Sequence, residues 1–392
     1  MEFIFPDYYK NFMCIGGNCP DTCCAGWQIM IDDKSLKNYK NEESSFKNCL
    51  YNGIDWKEGC FKQYKKNCVF LNEDKLCDIY IELGKNKLCK TCKTYPRHIE
   101  EFEGVREVSL SMSCPVVAKL ILTKKDYVHY YKKQKETIEE EYDDFDYLLF
   151  TKLEDTREVM IHILQNRTIN SCVRIAIFLG FAHDIQRRIR MDEMFSIDSL
   201  VDRYTNKGIF SCIEKKMGAY QGCLKESYKF SKDCIWLLQQ LEIREIEWKD
   251  WIDLCKHTLD SMDLDNYHEK KASFYRQHIL GKEERLQWEI YREQILVYFL
   301  FTYYCGAVYD NRVYAKVKIS IISLYIIEEM LFIQWLLKKE KIKESDWIRF
   351  SYKYSRELEH SDINLNQIEE ILSKKEEFSL KNFLYGICAN YF

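Results

Sequence analysis

The sequence predicts a mainly α protein whose N-terminal domain is irregular and stapled by metal. Three observations predict it. Eleven of the 18 cysteines lie at or before Cys114. All four prolines (Pro6, Pro20, Pro96 and Pro115) lie in the same front segment, and none follows. The chain of 392 residues holds just 14 glycines. Proline breaks helix interiors and glycine weakens them, so the back of the chain permits long helices. The expected division is a Cys-rich metal-binding domain over 1–124 and a helical domain over 125–392.

Taken in order, the front has room for short strands around 27–31 and 105–110. The segment 136–146 carries seven acids: Glu136, Glu139, Glu140, Glu141, Asp143, Asp144 and Asp146. It reads as a solvated connector, or as a docking surface for a lysine-rich protein. Helical spacing follows in Val159, Ile163 and Leu164, then in Val173, Ala176, Ile177, Gly180 and Phe181. The stretches 294–309 and 319–327 are the most apolar. Both are shorter than the about 20 residues of a membrane span, so they read as buried helices. Leu365, Ile368 and Leu372 mark another helix, and Asp362 and Ser379 are the expected N-caps of the last two.

Composition is that of a globular chain, with 46% apolar and 31% charged residues. The 58 basic and 62 acidic residues nearly cancel, to −4. That balance gives no reason to expect nucleic acid or an anionic membrane as partner. The start, Met1-Glu2-Phe3-Ile4-Phe5-Pro6, lacks the pattern of a secretory signal. A cytoplasmic location is therefore expected, with cysteines serving thiol or metal chemistry rather than disulfides.

The first cysteine block runs Cys14-Ile15-Gly16-Gly17-Asn18-Cys19-Pro20-Asp21-Thr22-Cys23-Cys24. The second holds Cys68, Cys77, Cys89 and Cys92, and the third is Ser113-Cys114-Pro115. Such spacings gather thiolates on turn backbone, which suits zinc or an iron–sulfur cluster. One histidine, His98, lies in the first 128 residues, so an all-cysteine site is the more natural one. Cys19 and Cys23 are followed at once by Cys24, which departs from the C-x3-C-x2-C signature of radical enzymes.

These blocks resemble a known family. The stretch 12–32, from Phe12-Met13-Cys14 to Asp32, is similar to the opening signature of the flagellin lysine N-methylases. Cys68 to Arg97, through Cys77-Asp78-Ile79-Tyr80 and Thr91-Cys92-Lys93-Thr94-Tyr95-Pro96-Arg97, resembles the second block. Leu110 to Pro115 resembles the third, and Gln294 to Lys318 resembles the aromatic C-terminal helices. The resemblance implies a cytoplasmic enzyme that methylates lysines of flagellin, with S-adenosylmethionine as methyl donor bound with the substrate by the helical domain. It also implies an iron–sulfur cluster, of the 4Fe-4S type, in the Cys-rich region. Carried over residue by residue, the ligands are Cys19, Cys23, Cys24, Cys68, Cys77 and Cys92, with Cys14 and Cys114 in reserve. Zinc is the alternative metal. The alternative function is a non-catalytic metal-binding or electron-transfer module with a helical partner-binding domain.

Methyl transfer to lysine needs the neutral amine, whereas free lysine has a pKa of about 10.4. The site must desolvate the ammonium or accept its proton. Aromatic faces and carboxylates suit the sulfonium cation of the donor. A glycine-rich loop between a strand and a helix is not visible, so helices are expected to shape the donor pocket. Asp310 is the expected proton acceptor or ammonium holder, and Tyr304 and Tyr309 the expected aromatic wall. Packed core tyrosines are the simpler reading of the last two. Arg97 is expected to meet a carboxylate of the donor, or else to anchor its own turn.

Overall fold

The computed structural model describes residues 1–136, 144–220 and 222–388. Four acids of the acidic run, Glu139, Glu140, Glu141 and Asp143, lie outside the described residues.

The front third is built from short pieces. β1 (Glu2–Pro6) is followed by α1 (Asp33–Lys40), α2 (Lys47–Gly53) and two small ribbons. The ribbons pair β2 (Ile54–Asp55) with β3 (Cys60–Phe61), and β4 (Gln63–Tyr64) with β5 (Asn67–Cys68). Then come α3 (Asp78–Leu83), α4 (Lys90–Thr94), β6 (Arg97–Phe102), β7 (Val105–Leu110), α5 (Pro115–Leu122) and β8 (Tyr130–Gln134). The expected strand at 105–110 is β7. The expected strand at 27–31 does not form. That stretch is held by an isolated bridge from Met30 to Cys60. Its entry is bent by Gly26 at φ +84°, a conformation that costs glycine little.

One four-stranded sheet has the order β6-β7-β1-β8. β6 and β7 form a hairpin that turns at Gly104. β1 runs parallel to β7 and antiparallel to β8, with Ile4 opposite Glu107 on one side and Lys132 on the other. The sheet therefore takes its last strand from beyond residue 124. A small separate core (Ile29, Ile31, Tyr39, Leu50, Phe61 and Phe70 among others) sits under the thiol-bearing loops. Gly53 lies on this core, because a Cβ there would meet the Phe70 ring at 2.4 Å.

The rest is helical. α6 (Tyr147–Gln165) and α7 (Ser171–Arg190) start on side-chain caps: Asp146 accepts from the Leu149 amide and Asn170 from that of Cys172. Then follow α8 (Ile197–Thr205), α9 (Lys207–Met217), α10 (Leu224–Gln239), α11 (Ile246–Asp260) and α12 (Leu264–Ile279). α13 (Lys282–Tyr303) holds residues 294–303 of the first apolar stretch as a buried helix, the rest of it passing into a 3-10 turn over Tyr304–Val308 and an exposed Tyr309, and α14 (Val313–Lys338) contains the second stretch, buried. α14 is long and apolar enough to cross a membrane by length and composition, contrary to expectation, but 89% of its most apolar window is buried. It touches α7, α10, α12, α13, α15 (Glu344–Glu359) and α16 (Asp362–Lys374), so an all-round apolar surface is what its central place requires. The cap of α16 is Ser361, one residue before the expected Asp362. Ser379 directly precedes α17 (Leu380–Cys388), as expected.

Charged side chains tie these layers together. Arg157 on α6 is buried and paired with Glu107 on β7, which joins helices to sheet. Arg292 pairs with Glu328, and Lys271 with Glu329, across α13–α14 and α12–α14. Removing one member of such a pair leaves an uncompensated buried charge, at about 3–5 kcal/mol.

Candidate functional site

The thiol loop is shaped by backbone bonds before any side chain is considered. The Cys68 amide donates to the Cys24 carbonyl (2.7 Å), and the Gly26 amide to that of Lys66 (2.9 Å). These bonds press the turn around Cys23–Gly26 onto the β4–β5 ribbon. The Trp27 indole donates to the Cys23 carbonyl (2.8 Å), and the Cys24 amide to the Thr22 hydroxyl (3.2 Å). Cys77 and Cys89 stand at the N-terminal caps of α3 and α4, and Cys92 lies inside α4.

Six thiols share this neighbourhood. Cys24 is in hydrogen-bonding reach of Cys23 and Cys77, and Cys89 of Cys92. Cys68 lies within electrostatic reach of Cys77 and Cys89, and Cys92 within that of Cys23 and Cys24. The bond from Cys23, with burial behind it, pushes the Cys24 thiol up to about 12. Burial does the same for Cys68. Among the described residues no three His, Cys, Asp or Glu side chains already converge as metal ligands do. Of the six expected ligands, Cys23, Cys24, Cys68, Cys77 and Cys92 are brought together. Cys19 is not in that group. Its thiol donates to the Asp21 carbonyl (3.1 Å), and it lies near Cys14 and Cys114. Cys89, which is not among the ligands carried over from the resemblance, joins the main group through the C-x2-C spacing to Cys92. This is a donor set of the chemistry that iron–sulfur clusters and zinc take.

α15, the turn after it and the connection between α10 and α11 hold the loop from the helical side. Arg356 is buried and donates to the carbonyls of Asp21, Thr22 and Ala25, the last at 2.8 Å. Lys353 bridges Asp21 (3.2 Å) and Glu245 (2.9 Å). Arg244 Nε donates to the Gly26 carbonyl at 3.0 Å. His360 lies against Trp27, ring centroids 4.8 Å apart, and its Nε2 is 2.9 Å from the Ser113 hydroxyl. Burial, with Arg356 and Arg244 nearby, pushes His360 down to about 3. Next to it Glu359 accepts from Ser111 (2.5 Å) and Tyr298 (2.6 Å), and burial raises its carboxyl above the ordinary range.

The expected residues of the second half diverge. Tyr304 is fully buried, with its hydroxyl 2.9 Å from that of Thr156. Tyr309 is on the surface, stacked on Phe102, and donates to the Glu101 carbonyl at 2.6 Å. Asp310 accepts from the Arg312 amide (2.8 Å) and pairs with Lys316 (3.1 Å). Three neighbours in sequence thus serve three separate places. Arg97 opens β6, donates to the Tyr9 hydroxyl (3.0 Å) and faces the rings of Tyr9 and Phe12.

A cavity of about 690 Å³ lies between β8 and α6. Tyr130 and Phe301 stack in its wall at 4.1 Å between centroids. Glu154 lines it, half-buried, with its carboxyl raised by burial. Glu154 was not singled out from the sequence. Its signal there is faint: an acid three residues before Arg157 on a helix that otherwise turns apolar residues inward.

Residues 157–386 match the model of the FliB lysine N-methylase C-terminal domain. Over 130 residues, 31% of the chain, the sequence is 31% identical to the flagellar biosynthetic protein FliU of Salmonella muenchen, covering 77% of that protein. The same identity and share relate it to the lysine-N-methylases of Salmonella choleraesuis and Salmonella typhimurium, of which 32% is covered. The aligned part thus spans about a third of the length of those two lysine-N-methylases. No solved structure matches. A match over more than half of its length places this chain in the FliB lysine N-methylase family.

Proposed function

We propose that the protein is a cytoplasmic protein-lysine N-methyltransferase that moves methyl groups from S-adenosylmethionine to lysine side chains of flagellin. The observation that carries this reading is the match of 157–386 to a lysine N-methylase domain. The flagellar substrate draws support from a relative named as a flagellar biosynthetic protein. The thiols of Cys23, Cys24, Cys68, Cys77, Cys89 and Cys92 would hold an iron–sulfur cluster of the 4Fe-4S type, or zinc in its place. Amine methylation needs no electron transfer, so such a centre would serve to shape the loop and the wall it offers the helices. The grip of Arg356, Lys353 and Arg244 on that loop supports a structural coupling of this kind.

The test is incubation of anaerobically purified protein with S-adenosylmethionine and flagellin, read by mass spectrometry. The expected result is the mass of one or more methyl groups on flagellin lysines. A protein with its centre fully loaded and no such gain is the non-catalytic metal-binding module instead. Visible absorption with metal analysis separates iron–sulfur from zinc.

A further inference from the structure

The cavity between β8 and α6 has a charge balance that points to one kind of guest. Its cationic lining is already paired. Arg157 is committed to Glu107, and Lys132 to Glu2 at 2.8 Å. Glu158 faces His162, both largely exposed. Glu154 is the half-buried carboxylate left over, with no hydrogen bond or ion pair among the described residues. The charges that reach it are those of Lys132 and Arg157, which favour its anion, and of Glu107 and Glu2, which oppose it. Aromatic surface stands beside it in Tyr130 and Phe301, the latter backed by the Arg157 guanidinium. A cavity of this size admits a ligand well beyond one side chain.

We propose that this cavity admits the ammonium end of a substrate lysine and that Glu154 accepts its proton, an inference that rests on the lysine-methylation reading. The step balances simply. The lysine ammonium gives one proton to the Glu154 carboxylate and becomes a neutral amine. Its nitrogen lone pair forms a bond to the methyl carbon of a methylsulfonium donor. The sulfur–methyl bond breaks, and its electron pair stays on sulfur as a neutral thioether. The product is a methylated ammonium, and Glu154 returns its proton to water. A carboxyl raised by burial is matched to this task, because its affinity for the proton moves toward that of the amine.

The experiment uses the full protein with its centre loaded, as wild type and as Glu154→Gln, with melting temperatures compared first. Methylation of flagellin is followed from pH 7 to 9. The expected loss at pH 7 is about 100-fold. The residual rate of E154Q should then climb about tenfold per pH unit as free lysine loses its own proton, while the wild-type rate stays nearly level. A purely structural residue would lower the rate without changing its pH profile. An E154Q rate within twofold of wild type, or a parallel profile, overturns the proposal. A second readout does not need turnover: n-butylammonium, a mimic of the lysine side chain, is titrated into both proteins by calorimetry. Saturable binding to wild type that is lost in E154Q supports the cavity assignment even where flagellin is not methylated, an outcome that would sink the broader reading alone. No saturable binding to either protein overturns the cavity assignment.

Discussion

Lys318 is a charge in the wrong place, and replacing it by methionine should stabilise the protein at neutral pH. The residue sits on α14 at 5% exposure. Its ammonium donates to the Leu372 carbonyl at 2.6 Å and lies 4.3 Å from the centre of the Tyr314 ring. No carboxylate pairs with it among the described residues, and Arg190 adds repulsion. Burial first, then Arg190, pull its pKa from 10.5 down to about 8. At about 1.4 kcal/mol per pH unit, the charged form is disfavoured at neutral pH by roughly 3 kcal/mol. Against this, Lys318→Met removes the bond to Leu372 and leaves its carbonyl unpaired, at about 1–2 kcal/mol. The net gain at pH 7 is therefore about 1–2 kcal/mol. The sign with pH follows from linkage: between about pH 8 and 10.5 the unfolded chain binds the proton that the folded chain has lost, so wild-type stability from this residue rises through that window. The advantage of K318M should shrink through the same window and become a deficit near pH 10.5. Urea unfolding of both proteins at pH 7, 9 and 10.5 measures it, with other titrations cancelling in the difference. A variant that is less stable at pH 7, by an amount that does not change with pH, refutes the reasoning.

Three further outcomes are expected. Arg356→Ala strips donors from the carbonyls of Asp21, Thr22 and Ala25. It should cost about 3 kcal/mol and speed alkylation of Cys23 and Cys24, both read by urea unfolding and mass-spectrometric labelling. Unchanged labelling would mean that the loop is held by its own backbone bonds alone. Tyr304→Phe should cost about 1 kcal/mol for its bond to Thr156 and leave turnover unaltered; a collapse of turnover at constant stability would return Tyr304 to the chemistry. Cys24→Ala should abolish the bound iron or zinc, whereas Cys49→Ala, at an exposed thiol on α2, should retain it. Equal metal content in the two would place the centre elsewhere.

The helical back was legible because its signals are local. Val159, Ile163 and Leu164 fall on α6 and Leu365, Ile368 and Leu372 on α16, each set repeating within a turn or two. Even the displaced cap has a local cause, since Ser361 and Asp362 are adjacent and both cap well. The sheet was not legible. β1 pairs with β8 over some 130 positions, and β8 itself reads Tyr-Tyr-Lys-Lys-Gln, a sequence with little apolar alternation. The missing strand at 27–31 shows the same limit, because the turn at Gly26 and the bond from its amide to the Lys66 carbonyl override the apolar run. Among the thiols, spacing along the chain does not say which side chains are neighbours in space: Cys19 lies near Cys14 and Cys114, and Cys89 beside Cys92. Aromatic and acidic residues at 304–310 looked like one site on paper. A short 3-10 turn over Tyr304–Val308 fans their side chains apart.

The bond from Arg356 to Ala25 spans 331 positions of chain. During synthesis at about 5–20 residues per second, the segment bearing Cys23 and Cys24 leaves the ribosome tens of seconds before its clamp exists. For that interval the earliest thiols to be made are the least covered, open to oxidants and to wrong partners. Maturation of the front is thereby timed by the completion of the back, and a chain truncated before α15 would deliver its cysteines with nothing to close over them.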